Sequence, residues 1–306
     1  MYRYLLIAFV LLSVAACTPK AASNSDPVKL EDDVLVIGDI SNDPAEKKEF
    51  WQPLADYLET QLADEGISKV EIAVAPDLGT MLLWMKTGKV DLYFDSPYPV
   101  LVMSEESGAV PILRRFKGGV GEYHSVFFTR DDSEFNSIED IEGQKLALEE
   151  NYSTSGYLLP VAYMIEHNLQ PAYKNGVLDV VRGDEIGFVF SGSDDLSVAW
   201  VLEGKVAAGV VDNTTFSEIA DEEKANLRII AETENVPRQM AVVRAGLDQN
   251  IMDAVYAELL AMSSTNEGTA VLDKIKTTQF DGFPEGVEPA LARMKEMYGL
   301  LYSIEE

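Results

Sequence analysis

Residues 149–160 read Glu149-Glu150-Asn151-Tyr152-Ser153-Thr154-Ser155-Gly156-Tyr157-Leu158-Leu159-Pro160. A short strand-like run, 144–148, precedes this stretch, and a helix-like run, 157–167, follows it. Three consecutive hydroxyl residues therefore stand where a helix begins. The first amides of a helix have no internal acceptor and carry partial positive charge. Hydroxyls and a glycine at that point make a nest of donors for an anion. A serine N-cap accounts for one hydroxyl. It does not account for three followed by Gly156, so capping and anion binding both stand on this pattern alone.

Working outward, strand-like and helix-like segments alternate along the chain. Strands are predicted at 34–38, 70–74, 90–94, 110–116, 125–130, 144–148, 177–181, 186–190, 207–211, 227–230 and 240–244. Helices are predicted at 50–62, 81–86, 157–167, 196–203, 249–262, 268–276 and 287–302, with a helical turn at 137–141. Pro53 is expected in the first turn of its helix or at its start. The alternation predicts an α/β protein with mixed sheets flanked by helices.

The first residues set the compartment. Arg3 precedes an apolar run, 4–12, and the small residues Ser13-Val14-Ala15-Ala16 lead to Cys17. This is the pattern of a signal peptide over 1–16. Val14-Ala15-Ala16-Cys17 also resembles a bacterial lipobox, with Cys17 as the lipidated first residue of the mature chain. Cys17 is the only cysteine, so no disulfide within one chain can form. Residues 17–33 then read as the lipidated cysteine and a flexible tether. No later stretch is apolar for long enough to span a membrane. The expected location is the cell envelope, lipid-anchored and extracytoplasmic or periplasmic.

With 24 Lys+Arg against 52 Asp+Glu, nucleic acid is excluded as an expected partner, because its backbone demands clustered cations. The acidic charge is spread along the chain and reads as a solvated surface. Only two histidines occur, His124 and His167. No metal-ligand spacing and no Gly-x-Ser-x-Gly elbow is present. No enzyme, metal site or cofactor is expected.

The segment 123–160 resembles the phosphate/phosphite/phosphonate substrate-binding components of ABC transporters. The resemblance is carried by Tyr123-His124-Ser125, the run 137–143, Lys145-Leu146-Ala147 and above all Ser153-Thr154-Ser155-Gly156-Tyr157 with Pro160. Phe190-Ser191-Gly192-Ser193, the run 204–212 and Val236-Pro237-Arg238 also fit. The resemblance implies a two-lobed periplasmic-binding-protein clamp of type II-like topology, with the ligand in the inter-lobe cleft. It places lobe I at 34–124 and 240–306 and lobe II at 125–239. The implied partners are a small oxyanion (a phosphonate, phosphite or phosphate) and the transmembrane subunits of an ABC permease, with the protein acting as a monomer. Implied ligand-binding residues are Ser153, Thr154, Ser155 and Gly156 as the anion nest, Tyr98 as an aromatic facing the ligand, and Asp212 at a strand end. Asp194 stands where the family usually has a histidine, which leaves a dianionic ligand without an evident compensating cation.

The chemistry of these residues adds to the resemblance. Hydroxyls and amides donate to unprotonated phosphoryl oxygens, while Asp194 or Asp212 accepts a P–OH proton. Such an acceptor disfavours sulfate, which has no proton at neutral pH. The same aspartates, with Asp95 and Glu150, suit the ammonium of a zwitterionic or cationic solute. Tyr98 and Tyr123 are expected to shape the ligand's organic part. A sensory partner of a membrane signalling protein is the alternative to transport.

Overall fold

The computed structural model describes residues 33–301. The expectations for the signal peptide, for Cys17 and for nearly all of the tether lie outside the described residues. In chain order the strands are β1 (Val34–Ile40), β2 (Lys69–Ala75), β3 (Leu92–Asp95), β4 (Val110–Lys117), β5 (Glu122–Tyr123), β6 (Ser125–Arg130), β7 (Lys145–Leu148), β8 (Pro171–Tyr173), β9 (Ile186–Phe190), β10 (Ala208–Asp212), β11 (Leu227–Glu232), β12 (Val236–Pro237), β13 (Gln239–Val243) and β14 (Thr277–Asp281). The α-helices are α1 (Pro44–Gln61), α2 (Leu78–Thr87), α3 (Pro97–Ser107), α4 (Leu159–Glu166), α5 (Asp194–Leu202), α6 (Asn213–Glu218), α7 (Asp221–Lys224), α8 (Gln249–Ala261), α9 (Asn266–Lys274) and α10 (Val287–Leu301).

Two six-stranded sheets repeat one plan. The first runs β14-β4-β13-β3-β1-β2 and the second β11-β6-β10-β7-β9-β8. In each, the strand that follows directly from the β5–β12 ribbon runs antiparallel to both neighbours: β13 between β3 and β4, β6 between β10 and β11. A two-stranded ribbon, β5 with β12, joins the sheets, so the chain crosses twice between lobes. The mixed sheets flanked by helices are those predicted from the alternation of elements, and the two-lobed clamp is the one the family resemblance implies.

Central parallel strands are buried on both faces and read as continuous apolar runs. Leu35, Val36 and Ile37 of β1 show this, none exposing more than 4%. One face of that sheet packs Leu35, Ile37 and Leu92 against Trp51, Leu54 and Leu58 of α1. The opposite face packs Val36 and Tyr93 against Met81 and Met85 of α2. In lobe II, Leu146 and Phe127 pack toward α4, and Ala147, Phe128 and Val211 toward α5. Helix α10 bridges the lobes: Leu291 joins the lobe I core, while Met294, Met297 and Leu301 join the cluster under α4.

Three local expectations are corrected. Helix α1 begins at Pro44, with Asp43 accepting from the Ala45 and Glu46 amides, so Pro53 lies inside the helix. Residues 177–181 form no strand; the neighbouring edge strand is β8, and Leu178 and Val180 are 93% and 85% exposed. No helix is expected from the sequence between the strands at 90–94 and 110–116, yet α3 forms there with Pro97 and Pro99 in its first turn. Proline is tolerated in a first helical turn, where its missing N–H costs nothing.

Candidate ligand-binding site

The parallel strands aim their C-terminal ends at the cleft. β3 ends at Asp95, β7 just before Glu149, β9 just before Ser191 and β10 at Asp212. Open α/β sheets bind ligands beyond these ends. The loop after β7 supplies the serines. Ser153 Oγ accepts from the Gly156 amide at 2.9 Å, and the Leu158 amide donates to the Ser153 carbonyl at 3.1 Å. That five-residue spacing makes Thr154–Leu158 a widened, π-type turn, a form frequent at functional sites. The turn folds back on Glu149, whose amide donates to the Gly156 carbonyl at 3.2 Å. A Cβ on Gly156 would lie 2.5 Å from the Glu149 Cβ, so this approach needs glycine. Ser125 Oγ donates to the Ser155 carbonyl at 2.7 Å and pins the turn to β6.

The turn opens into a cavity of about 180 Å³ between the lobes. Of the residues predicted from sequence, Ser153, Ser155, Tyr123, Asp95, Asp194 and Asp212 line it together. Thr154 does not. It is wholly buried, accepts from the Tyr98 amide at 2.9 Å and donates to Ser96 Oγ at 2.8 Å. Its hydroxyl is used between the lobes. The Tyr98 ring packs with Tyr157 and Tyr298, at centroid distances of 6.4 and 5.5 Å, away from the cavity lining. Gly156 serves through its backbone and its lack of a side chain.

Sequence reasoning missed the cations. Arg238 and Lys117 both line the cavity. The Arg238 guanidinium stacks over Tyr123, 4.3 Å from the ring centroid, and lies 3.5 Å from Asp212 Oδ2. Burial lowers the Lys117 ammonium to about 8, with Arg238 and Arg115 adding to the effect. An oxyanion here has compensating positive charge, which corrects the expectation drawn from the missing histidine. Ser96, Glu149, Tyr152 and Gln239 complete the lining. Arg238 stood in a quoted segment, but Lys117 closes a strand that already carries Arg114 and Arg115 and gave no signal of its own.

The four acids differ in what holds them. Asp212 caps α6: Oδ1 accepts from the Thr214 and Thr215 amides at 2.8 and 3.1 Å, and Oδ2 from the Thr215 hydroxyl at 2.9 Å. With Arg238 beside it, its carboxylate is largely committed. Asp95 accepts from the Ser96 amide at 2.6 Å and from the Tyr93 hydroxyl. Burial raises the Asp95 carboxyl. Burial also raises Glu149, and pushes Asp194 up to about 8 with Glu149 and Asp212 nearby. At neutral pH the Asp194 carboxyl is therefore mostly protonated and donates as well as accepts.

Neither histidine lines this cavity: His124 bonds Asn235 and Glu232, and His167 stacks on Tyr163. Among the described residues no group of three or more His, Cys, Asp or Glu side chains is placed to hold a metal ion.

Residues 40–285 match the family model described as ABC transporter, phosphonate, periplasmic substrate-binding protein. The phosphate-import protein PhnD of Mycolicibacterium smegmatis is 23% identical over 288 residues, covering 91% of this chain and 84% of that protein. The phosphonates-binding periplasmic protein of Escherichia coli K12 is 24% identical over 282 residues, covering 88% and 79%. Among solved structures, XAC2383 of Xanthomonas citri bound to ATP superposes with a TM-score of 0.83 at 26% identity, covering 90% of this chain and all of that one. The same protein bound to chloride gives 0.83 at 28%, covering 89% and 99%. PhnD1 of Prochlorococcus marinus in complex with methylphosphonate gives 0.69 at 18%, covering 90% and 100%, and bears on the fold alone.

Proposed function

The chain belongs to the periplasmic substrate-binding proteins of phosphonate ABC transporters, and we propose that its cleft captures a small phosphorus oxyanion, whether phosphonate, phosphite or phosphate. Members of this family bind and deliver solutes outside the cytoplasm to a permease; they are not enzymes. The observation that carries the ligand reading is that Ser153 and Ser155 line one small cavity together with Arg238 and Lys117. Hydroxyls and a guanidinium donate to phosphoryl oxygens, and charge-assisted bonds of this kind are the stronger ones. Tyr123 and Asp212 hold the guanidinium in place. The XAC2383 structures are described with ATP and with chloride, both anions, which supports an anion-binding reading.

Glu149 and Asp194 set the preference among anions. Whichever of the two is ionised needs a donor from the ligand. A P–OH group supplies one and sulfate does not. A ligand ammonium would serve equally, so an aminophosphonate is the second reading, favoured by the acids lining the cavity. Capture closes the two lobes about their ribbon hinge and presents the closed form to the permease. Anchoring through a lipid on Cys17, and action as a monomer, are parts of the same proposal.

Calorimetry of residues 18–306 against phosphate, phosphite, methylphosphonate, aminoethylphosphonate and sulfate tests this. Binding of one or more phosphorus compounds with no binding of sulfate is expected. Binding of sulfate, or of no phosphorus compound, overturns the ligand reading.

A further inference from the structure

A second cavity, of about 300 Å³, adjoins the first on the lobe I side and shares Asp95, Lys117, Tyr152 and Gln239 with it. The charged groups of this outer chamber are unequally committed. Asp39 accepts from the Trp51 indole N–H and the Ile40 amide, both at 2.6 Å, and Lys47 lies 3.9 Å from it. Asp95 is held by Tyr93 and Ser96. Arg115, beneath the floor, spends its donors on Thr277, Gln239 and the Ile275 carbonyl at 2.6–2.8 Å.

Among the described residues, the ammonium groups of Lys117 and Lys276 have no hydrogen bond or ion pair with protein. Lys276 reaches the chamber from a left-handed backbone conformation, φ 49°. That conformation is uncommon for a residue other than glycine, asparagine or aspartate. Glu46 is the remaining lining acid, and it stands exposed in the first turn of α1. The uncommitted charge is thus positive on balance, two ammonium groups against one exposed carboxylate, in a chain whose formal net charge is −28. The chamber is larger than the inner one and shares four lining residues with it, so a short tether from a bound oxyanion leads past those residues toward it.

We infer that the outer chamber is a subsite for a second anionic group, so that the favoured ligand is a phosphonate or phosphate monoester bearing a carboxylate or second phosphoryl group on a short linker. This rests on the oxyanion reading of the inner cavity. Lys117, shared by both chambers, lies between the two anionic groups, and Lys276 and Lys47 flank the outer one. A cationic tail meets the same ammonium groups and is disfavoured there.

The test compares three ligands with one head and different tails at pH 7: 3-phosphonopropionate, propylphosphonate and 3-aminopropylphosphonate. Phosphonopropionate should bind at least tenfold more tightly than propylphosphonate, and aminopropylphosphonate most weakly. The double variant Lys47→Gln with Lys276→Gln should cut the preference for phosphonopropionate at least fivefold. Equal binding of the first two, tightest binding of the aminopropyl compound, or an unchanged preference in the variant overturns the subsite. Failure of all three to bind removes the inner oxyanion site and the subsite with it. Binding of propylphosphonate without the preference removes only the subsite.

Discussion

The Thr154 hydroxyl of lobe II donates to the Ser96 hydroxyl of lobe I at 2.8 Å, and both residues are buried. The same oxygen accepts from the Tyr98 amide in the first turn of α3. One hydroxyl therefore ties the starts of two helices from opposite lobes behind the cavity. Thr154→Val keeps the shape and leaves these buried groups short of a partner, at a cost of about 1–3 kcal/mol. The ligand-free protein should melt several degrees lower, given about 2–4 °C per kcal/mol at this size. An unchanged melting temperature would show that the contact does not stabilise the lobes.

Arg238 is the principal guanidinium of the inner cavity. Arg238→Gln removes the charge while retaining an amide donor. It should weaken oxyanion binding by about 1.5–3 kcal/mol, roughly ten- to 150-fold. Calorimetry on the variant with methylphosphonate measures this, and retention of full affinity would place the anion elsewhere.

Binding should also weaken as pH rises through about 8. Burial raises the Asp194 carboxyl to about 8 and lowers the Lys117 ammonium to about 8. Below that pH the first is neutral and the second cationic, and both favour an anion. Above it the first becomes a carboxylate and the second loses its charge, and both changes oppose an anion. Asp194→Asn should lose less affinity between pH 7 and 9.5 than the unaltered protein. Parallel profiles for the two proteins would exclude Asp194 from the effect.

Part of this site is legible in the sequence. The hydroxyl run before an apolar helix marks the turn that lines the cavity, the alternation of elements marks the mixed α/β sheets, and the clamp follows from the family resemblance. Which hydroxyls face the cavity is not legible. It depends on the widened turn at Thr154–Leu158 and on Ser96 arriving from the other lobe. Lys117 and Arg238 are far apart in sequence and meet because both chain crossings pass through one ribbon. Single residues near strand ends carry no periodicity to announce them. The aspartates drew attention as a ligand-facing set, yet Asp212 is largely occupied with helix capping. The residues at 177–181 have strand-like composition, and only the packing reveals that Leu178 and Val180 face solvent.

The proposed lipid anchor rests on Cys17. Expressed as residues 1–306 in a bacterial host, the protein should partition with membranes and incorporate labelled palmitate. Cys17→Ser should release it into the soluble envelope fraction without label. Soluble, unlabelled protein before the substitution would remove the lipid anchor from the proposal.

A crystal structure of residues 18–306 with methylphosphonate tests the central claim most directly. The phosphoryl oxygens should lie within about 2.7–3.2 Å of Ser153 Oγ, Ser155 Oγ and the Arg238 guanidinium, inside the cavity between the lobes. A phosphonate bound away from these three residues, or a cleft that stays empty at saturating ligand, would contradict it.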